Sequence, residues 1–176
     1  MQINRLIVGL LQTNCYMLVD GGELAVIDPG SEAKKISKEI VKTGAKPKFI
    51  INTHGHADHT GANRELANEF AVKIISDLKE NDILTIGKEK IIIVETPGHT
   101  SDGICLFGNG FVFSGDTIFA DSIGRTDLES GSDSDMAASL EKLDKLIPEG
   151  TIVYPGHGDV FKYRKGMARA WLEYLT

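Results

Sequence analysis

All five histidines of this chain, at positions 54, 56, 59, 99 and 157, follow closely on short apolar runs. FIINT leads to His54, IIIVETPG to His99 and TIVYPG to His157, and FVFSG leads in the same way to Asp116. Short apolar runs bounded by turn residues read as buried strands. Four strands therefore release a metal-ligating side chain at their C-terminal ends. Gly55, Gly98, Gly115, Gly156 and Gly158 stand beside those side chains and let the backbone turn sharply there.

The rest of the chain fits a layered α/β arrangement. INRLIVGLLQ, CYMLVD and ELAVIDPG read as strands, the last two joined in a hairpin at Gly21-Gly22. SEAKKISKEIVKTG has a serine to cap it, apolar residues at helical spacing and a closing glycine, so it predicts a helix. KFIINT is a strand and TGANRELANEF a second helix. VKIIS, ILTIG and KIIIVETPG are strands, and ICLFG with FVFSG predicts a hairpin at Asn109-Gly110. A Ser/Asp-rich loop from Asp127 to Asp133 leads to the helix MAASLEKLDKLI, then the strand TIVYPG and an amphipathic helix, KYRKGMARAWLEYL. No Pro- or Ser-rich linker divides residues 1–176, so a single domain is expected. Two packed sheets with helices on their outer faces give a four-layer αββα sandwich, with strand order unspecified.

The densest chemistry lies in Thr53-His54-Gly55-His56-Ala57-Asp58-His59. His54 and His56, two apart, can reach one ion from an extended or tightly turned segment. Asp58 and His59 are adjacent, so their side chains diverge and can reach a second ion. Taken alone, His99 or His157 would read as a capping or hydrogen-bonding histidine, and Asp116 as a turn residue after Gly115. A closed structural zinc site uses four ligands and is usually rich in cysteine. Seven candidates without cysteine (His54, His56, Asp58, His59, His99, Asp116 and His157) exceed what one closed site uses. Imidazole and carboxylate suit zinc, iron or manganese without selecting one.

Composition narrows the partners. The net charge is −6, and no segment gathers Lys and Arg into a phosphate-binding stripe, which weighs against nucleic acid. No apolar run is long enough to span a bilayer, and the N-terminus reads as a strand with no cleavage site, so no membrane partner is expected. Cys15 and Cys105 each sit inside an apolar run and read as small buried hydrophobes. Few cysteines and no export signal point to the cytoplasm. The oligomeric state is not specified by the sequence. Tyr154 reads as a core residue, and Thr53 and Thr100 as residues that cap or support the ligands.

HGHADH, followed in order by TPGHT, SGDTIF and YPGHG, resembles the metallo-β-lactamase-fold superfamily over nearly the whole chain. LQTNCYMLVD and GRTD resemble most its glyoxalase II (hydroxyacylglutathione hydrolase) branch, in a short single-domain form. The resemblance implies that His54, His56 and His99 hold a first metal, Asp58, His59 and His157 a second, and that Asp116 bridges them. It implies two divalent ions, zinc by expectation with iron or manganese as alternatives, and a bridging hydroxide that attacks the carbonyl of a small acyl thioester. Asp58 would also orient that hydroxide. Arg125 corresponds roughly to a basic residue that contacts substrate in glyoxalase II; its alternative role is to brace the loop by pairing with Asp121 or Asp127. The tyrosine that follows this basic residue in glyoxalase II is absent, Thr126 and Asp127 standing there, and nineteen residues follow His157 in place of a helical glutathione-binding domain. The thiol carried by the substrate is therefore open.

Three other readings compete. A persulfide dioxygenase of the same fold would hold one iron through His54, His99 and Asp116. A phosphodiesterase or lactonase would use the binuclear site on other esters. A metal-binding module without catalysis would hold the ions and turn nothing over.

Overall fold

The computed structural model describes residues 1–175. Five strands form a first sheet: β1 (Gln2–Val8), β2 (Thr13–Asp20), β3 (Glu23–Ile27), β4 (Lys46–Ile51) and β5 (Lys73–Ile75), ordered β1-β2-β3-β4-β5. Six form a second: β6 (Ile83–Ile86), β7 (Glu89–Glu95), β8 (Ile104–Gly108), β9 (Phe111–Gly115), β10 (Ile152–Pro155) and β11 (Phe161–Lys162), ordered β11-β10-β9-β8-β7-β6. The pairs β3–β4, β4–β5 and β9–β10 are parallel and the rest antiparallel. The helices are α1 (Ala33–Thr43), α2 (Ala57–Thr60), α3 (Asn63–Phe70), α4 (Asp133–Leu146) and α5 (Met167–Ala170), followed by a 3₁₀ turn over Trp171–Tyr174.

Side-chain alternation along the strands builds the layers. Tyr16, Leu18, Ala25, Ile27, Phe49 and Ile51 point from the first sheet toward Ile93, Ile104, Leu106, Phe111 and Phe113 of the second. Their neighbours Cys15, Met17, Leu24, Val26 and Ile50 point the other way, onto Ala33, Ile36, Ile40 and Leu66. Cys105, Val112 and Val153 likewise face Met136, Leu140, Leu143 and Ala168. Since successive strand residues face opposite sides, runs apolar at every position are what a sheet covered on both faces requires. The architecture is the αββα sandwich expected, and Tyr154 packs against its central layer. Both cysteines are buried and unpaired.

The hairpins fall at Gly21-Gly22 and Asn109-Gly110 as expected, and Gly44 closes α1 in a left-handed conformation. Several boundaries differ. Ser31 does not cap α1: Glu32 holds that position in a left-handed conformation without a side-chain cap. The first strand ends at Val8, because Gly9, with φ 71°, begins a turn closed by Gln12 N–H donating to Gly9 O. The helix expected from Thr60 begins earlier, at Ala57, and breaks before Asn63, where Ala62 N–H donates to Pro29 O. The predicted C-terminal helix loses its first five residues: Phe161–Lys162 pair with β10, Tyr163 is buried, and helix starts only at Met167, continuing as a 3₁₀ turn to Tyr174. Among the described residues, no helix is long and apolar enough to cross a membrane.

Candidate metal centre

The C-terminal ends of β3, β4, β7, β9 and β10 open onto one edge of the sandwich, where ligands characteristically bind in α/β folds. Asp28 follows β3, His54 follows β4, His99 follows β7, Asp116 follows β9 and His157 follows β10. His56, Asp58 and His59 lie on the turn and short helix after β4. All seven side chains expected as ligands meet there.

They form two adjoining groups. His54 Nε2 and His99 Nε2 each lie 3.0 Å from His56 Nδ1. His157 Nε2 lies 3.3 Å from His59 Nε2 and 3.2 Å from Asp58 Oδ2. Asp116 stands between the groups, 3.6 Å from His99 Nε2, 3.5 Å from His157 Nε2 and 3.5 Å from His59 Nε2. The atoms of His54, His56 and His99, of His54, His59 and Asp116, and of Asp58, His59 and His157 are each close enough to share one ion.

The proton inventory fits a cation. His99 Nδ1 is 2.7 Å from the Arg125 carbonyl and His157 Nδ1 is 3.0 Å from the Leu11 carbonyl. Carbonyls only accept, so those nitrogens carry the hydrogens and the Nε2 lone pairs point into the cluster. His54 Nδ1 lies 3.2 Å from Thr53 Oγ1, whose own proton goes to Asp28 Oδ2 at 2.7 Å. His59 Nδ1 lies 3.1 Å from the same carboxylate oxygen. His54, His99 and His157 are thus held so that each neutral ring turns a bare Nε2 inward, as metal-ligating histidines are, and the Asp28 carboxylate stands beside His59 Nδ1. Asp116 Oδ1 is buried without a hydrogen-bond donor. Imidazole nitrogens converging at 3.0 Å in one group, and an unsatisfied carboxylate oxygen 3.5 Å from His59 Nε2 beside it, call for a positive ion.

Electrostatics agree. Burial pushes His54 down to about 2, and the neighbouring rings His59, His99 and His56 add to that, so it stays neutral and able to ligate. Burial alone would lower His59 too, but Asp28, Asp116 and Asp58 outweigh it and raise it to about 9. Burial raises the Asp116 carboxyl, while donation from His157, when a proton stands on its Nε2 in place of a cation, and from Thr13 holds Asp58 well below the usual carboxylate range. A cation at the cluster would replace the protons that these opposed tendencies otherwise share.

Asp28 is a supporting residue that the sequence reading did not single out. It is buried, has φ 51°, and also accepts from Thr53 N–H at 2.7 Å. Its signal was available: ELAVIDPG ends a strand on a carboxylate, as FVFSG does before Asp116. Thr13, donating to Asp58 Oδ2 at 3.1 Å, was also missed. Thr53 has the supporting role expected. Thr100 is buried with its hydroxyl unpartnered, so no cap forms there. The Arg125 guanidinium donates to both oxygens of Asp127, at 2.7 and 2.8 Å, while its carbonyl holds His99. Gly156 leaves room that a side chain would fill: a Cβ there would stand 2.1 Å from Asp116 Oδ1 and 2.7 Å from His59 Cε1.

Comparison with known proteins agrees with this geometry. The family model for the metallo-beta-lactamase superfamily matches residues 8–85 and 77–157. A hydroxyacylglutathione hydrolase from Pelagibacter ubique (strain HTCC1062) is 37% identical over 170 residues, spanning 86% of this chain and 69% of that protein. The crystal structure of BLEG-1 B3 metallo-beta-lactamase is similar with a TM-score of 0.87 at 28% identity, covering 99% of this chain and 100% of that one. TTHA1623 in a di-iron-bound form gives a TM-score of 0.83 at 28% identity, covering 90% of this chain and 94% of that one.

Proposed function

This chain belongs to the metallo-β-lactamase superfamily, and from that premise we propose that it is a binuclear metal-dependent hydrolase of acyl thioesters. The observation that carries the proposal is the pair of adjoining ligand groups with Asp116 within 3.6 Å of nitrogens in both. His54, His56 and His99 would hold one cation, Asp58, His59 and His157 the other, and Asp116 both. Zinc suits the donors, and iron and manganese fit them too. Similarity to a hydroxyacylglutathione hydrolase supports a small thioester as the substrate. Two unpaired cysteines suit a cytoplasmic setting, and the site draws on both sheets as a single domain would.

When bound, such a cation pair supplies Lewis acidity toward a carbonyl oxygen and brings the pKa of water at the site toward neutrality. The chain's own residues do the positioning. His54, His99 and His157 are held through Thr53, Arg125 and Leu11, and Asp28 stands beside His59, so these four rings are positioned in advance. Asp58 Oδ2 accepts from Thr13, while Oδ1 has no protein hydrogen bond among the described residues. That free oxygen would orient the attacking water or hydroxide.

Elemental analysis of the purified protein, combined with a panel of acyl thioesters, lactones and phosphodiesters, tests the reading. About two metal equivalents and thioester hydrolysis abolished by chelator are expected. One iron per chain with persulfide-dependent oxygen uptake would replace it with a dioxygenase. Two metals with no turnover of any ester would leave a binding module.

A further inference from the structure

The segment from Asp121 to Asp135 carries five carboxylates (Asp121, Asp127, Glu129, Asp133 and Asp135) and one cation, Arg125. It lies against the turn that bears His99. The Arg125 carbonyl bonds the His99 ring, Ser132 N–H donates to Gly98 O at 2.8 Å, and Ser101 N–H donates to Ser130 Oγ at 3.3 Å. Asp102 brings another carboxylate to the far side, 2.9 Å from where a Cβ on Gly55 would stand. Two divalent cations in the cluster would be offset to within one charge by Asp28, Asp58 and Asp116. The field an incoming substrate meets at the rim is therefore set by the surrounding acidic residues.

Arg125 is the group in that segment able to receive an anion, and its fork is occupied. Nε and Nη2 donate to the two oxygens of Asp127 in the bidentate geometry that an external carboxylate would need. Both side chains are largely exposed, 63% and 69%, so the pair adds little to stability. Its consequence lies in recognition. Asp127 is tethered two residues away, at an effective concentration on the order of millimolar or above, and a free anion must compete with it.

We propose that Asp127 is a specificity-determining residue: by occupying Arg125 within an acidic rim, it makes the site favour thioesters of uncharged or cationic thiols over those of anionic thiols such as glutathione. The inference rests on the thioester reading and names the substrate class within it.

The test uses zinc-loaded protein and three propionyl thioesters, of thiocholine (cationic), N-acetylcysteamine (uncharged) and 3-mercaptopropionate (anionic). Each rate is normalised to hydrolysis of the same ester by hydroxide in water. At low salt, kcat/KM should be about tenfold higher for the cationic than for the anionic ester, the ratio shrinking as salt screens the rim. D127N should raise the relative rate on the anionic ester about threefold, and adding R125Q should cancel that rise. A second readout is independent of turnover: the Arg125 ¹⁵Nε resonance titrated with S-methylglutathione. It should stay in place in the wild type through several millimolar and move in D127N. Hydrolysis of all three esters without a charge ranking, or a wild-type Arg125 signal that moves with S-methylglutathione, would overturn the proposal. Should D127N lose its zinc, the wild-type ranking and titration decide. Failure to hydrolyse any of the three with two zinc ions bound would instead defeat the thioester reading itself.

Discussion

Asp28 Oδ2 lies 3.1 Å from His59 Nδ1 and 2.7 Å from Thr53 Oγ1, and Thr53 in turn supports His54. One buried carboxylate after β3 therefore orients a histidine in each ligand group. Replacing it should disturb both cations. Asp28→Ala should weaken metal binding about 10- to 100-fold, measured by competition with a chelating dye. It should also cost about 2–4 kcal/mol of stability, because the Thr53 amide and hydroxyl and the His59 ring are left without an acceptor. Metal affinity at the wild-type level would refute the bracing role.

His157 lies in the second group only, and His59, which also stands within reach of His54 and Asp116, is assigned there. His59→Ala or His157→Ala should leave about one metal equivalent bound, with hydrolysis reduced at least about 100-fold. His54→Ala or His99→Ala should disturb the first position instead. Equal loss of both ions in all four variants, by elemental analysis, would mean that the centre loads as one unit.

Gly156 tests how tightly the cluster is packed. In Gly156→Ala the new methyl meets Asp116 Oδ1 and His59 Cε1, and Asp116 Oδ1 lies between the ligand groups. Since even about 1 Å of misplacement can cost about 100-fold, activity should fall by that order. The melting temperature should fall by only a few degrees, so a variant that keeps full turnover would argue against a rigid Asp116.

Asp144 provides a pH dependence away from the metals. Its partial burial raises the carboxyl, but donation from Tyr163 and Gly166, at 2.7 and 2.8 Å, and the charges of Lys165 and Arg169 more than offset that and leave it lowered. A carboxylate with a depressed folded value stabilises above its unfolded pKa of about 3.9, and that contribution disappears as pH falls through the folded value. Amides in the segment after Tyr163 should therefore lose hydrogen-exchange protection in acid before the sheets do. Asp144→Asn should show the same local loosening at neutral pH.

Both thiols should be inert in the folded protein. Burial pushes Cys105 up to about 11, and Cys15 higher still. At pH 8 neither is thiolate, and neither is accessible. A disulfide reagent should titrate no thiol in buffer and two in denaturant.

The seven candidate ligands could be picked out in the sequence because they cluster just beyond strand ends, where a side chain leaves the sheet without costing packing. Layering was legible for a similar reason: FIIN and FVFS are apolar at consecutive positions, the pattern of strands covered on both faces. Strand order was not legible, since β3, β4 and β5 pair in parallel through long-range contacts that no local pattern encodes. Thr60 and Lys162 were placed in longer helices because helical spacing continues through them. Tertiary bonds decided otherwise, Ala62 N–H reaching Pro29 O and β11 pairing with β10. Asp28 escaped notice because a carboxylate before Pro-Gly has the composition of an ordinary turn.

His56 and His99 are 43 residues apart in the chain, and His59 and His157 are 98 apart. An ion shared by either pair closes a long loop, as a covalent bridge between the same points would. By the chain-entropy account of such bridges, each closure disfavours the unfolded chain by about 4 kcal/mol. His54, His56 and His59 follow strand β4 of one sheet, while His99 and His157 follow strands of the other. The cations would therefore rivet the two halves of the sandwich together in a protein whose cysteines form no such link, and stripping them would loosen the whole molecule as well as silence its chemistry.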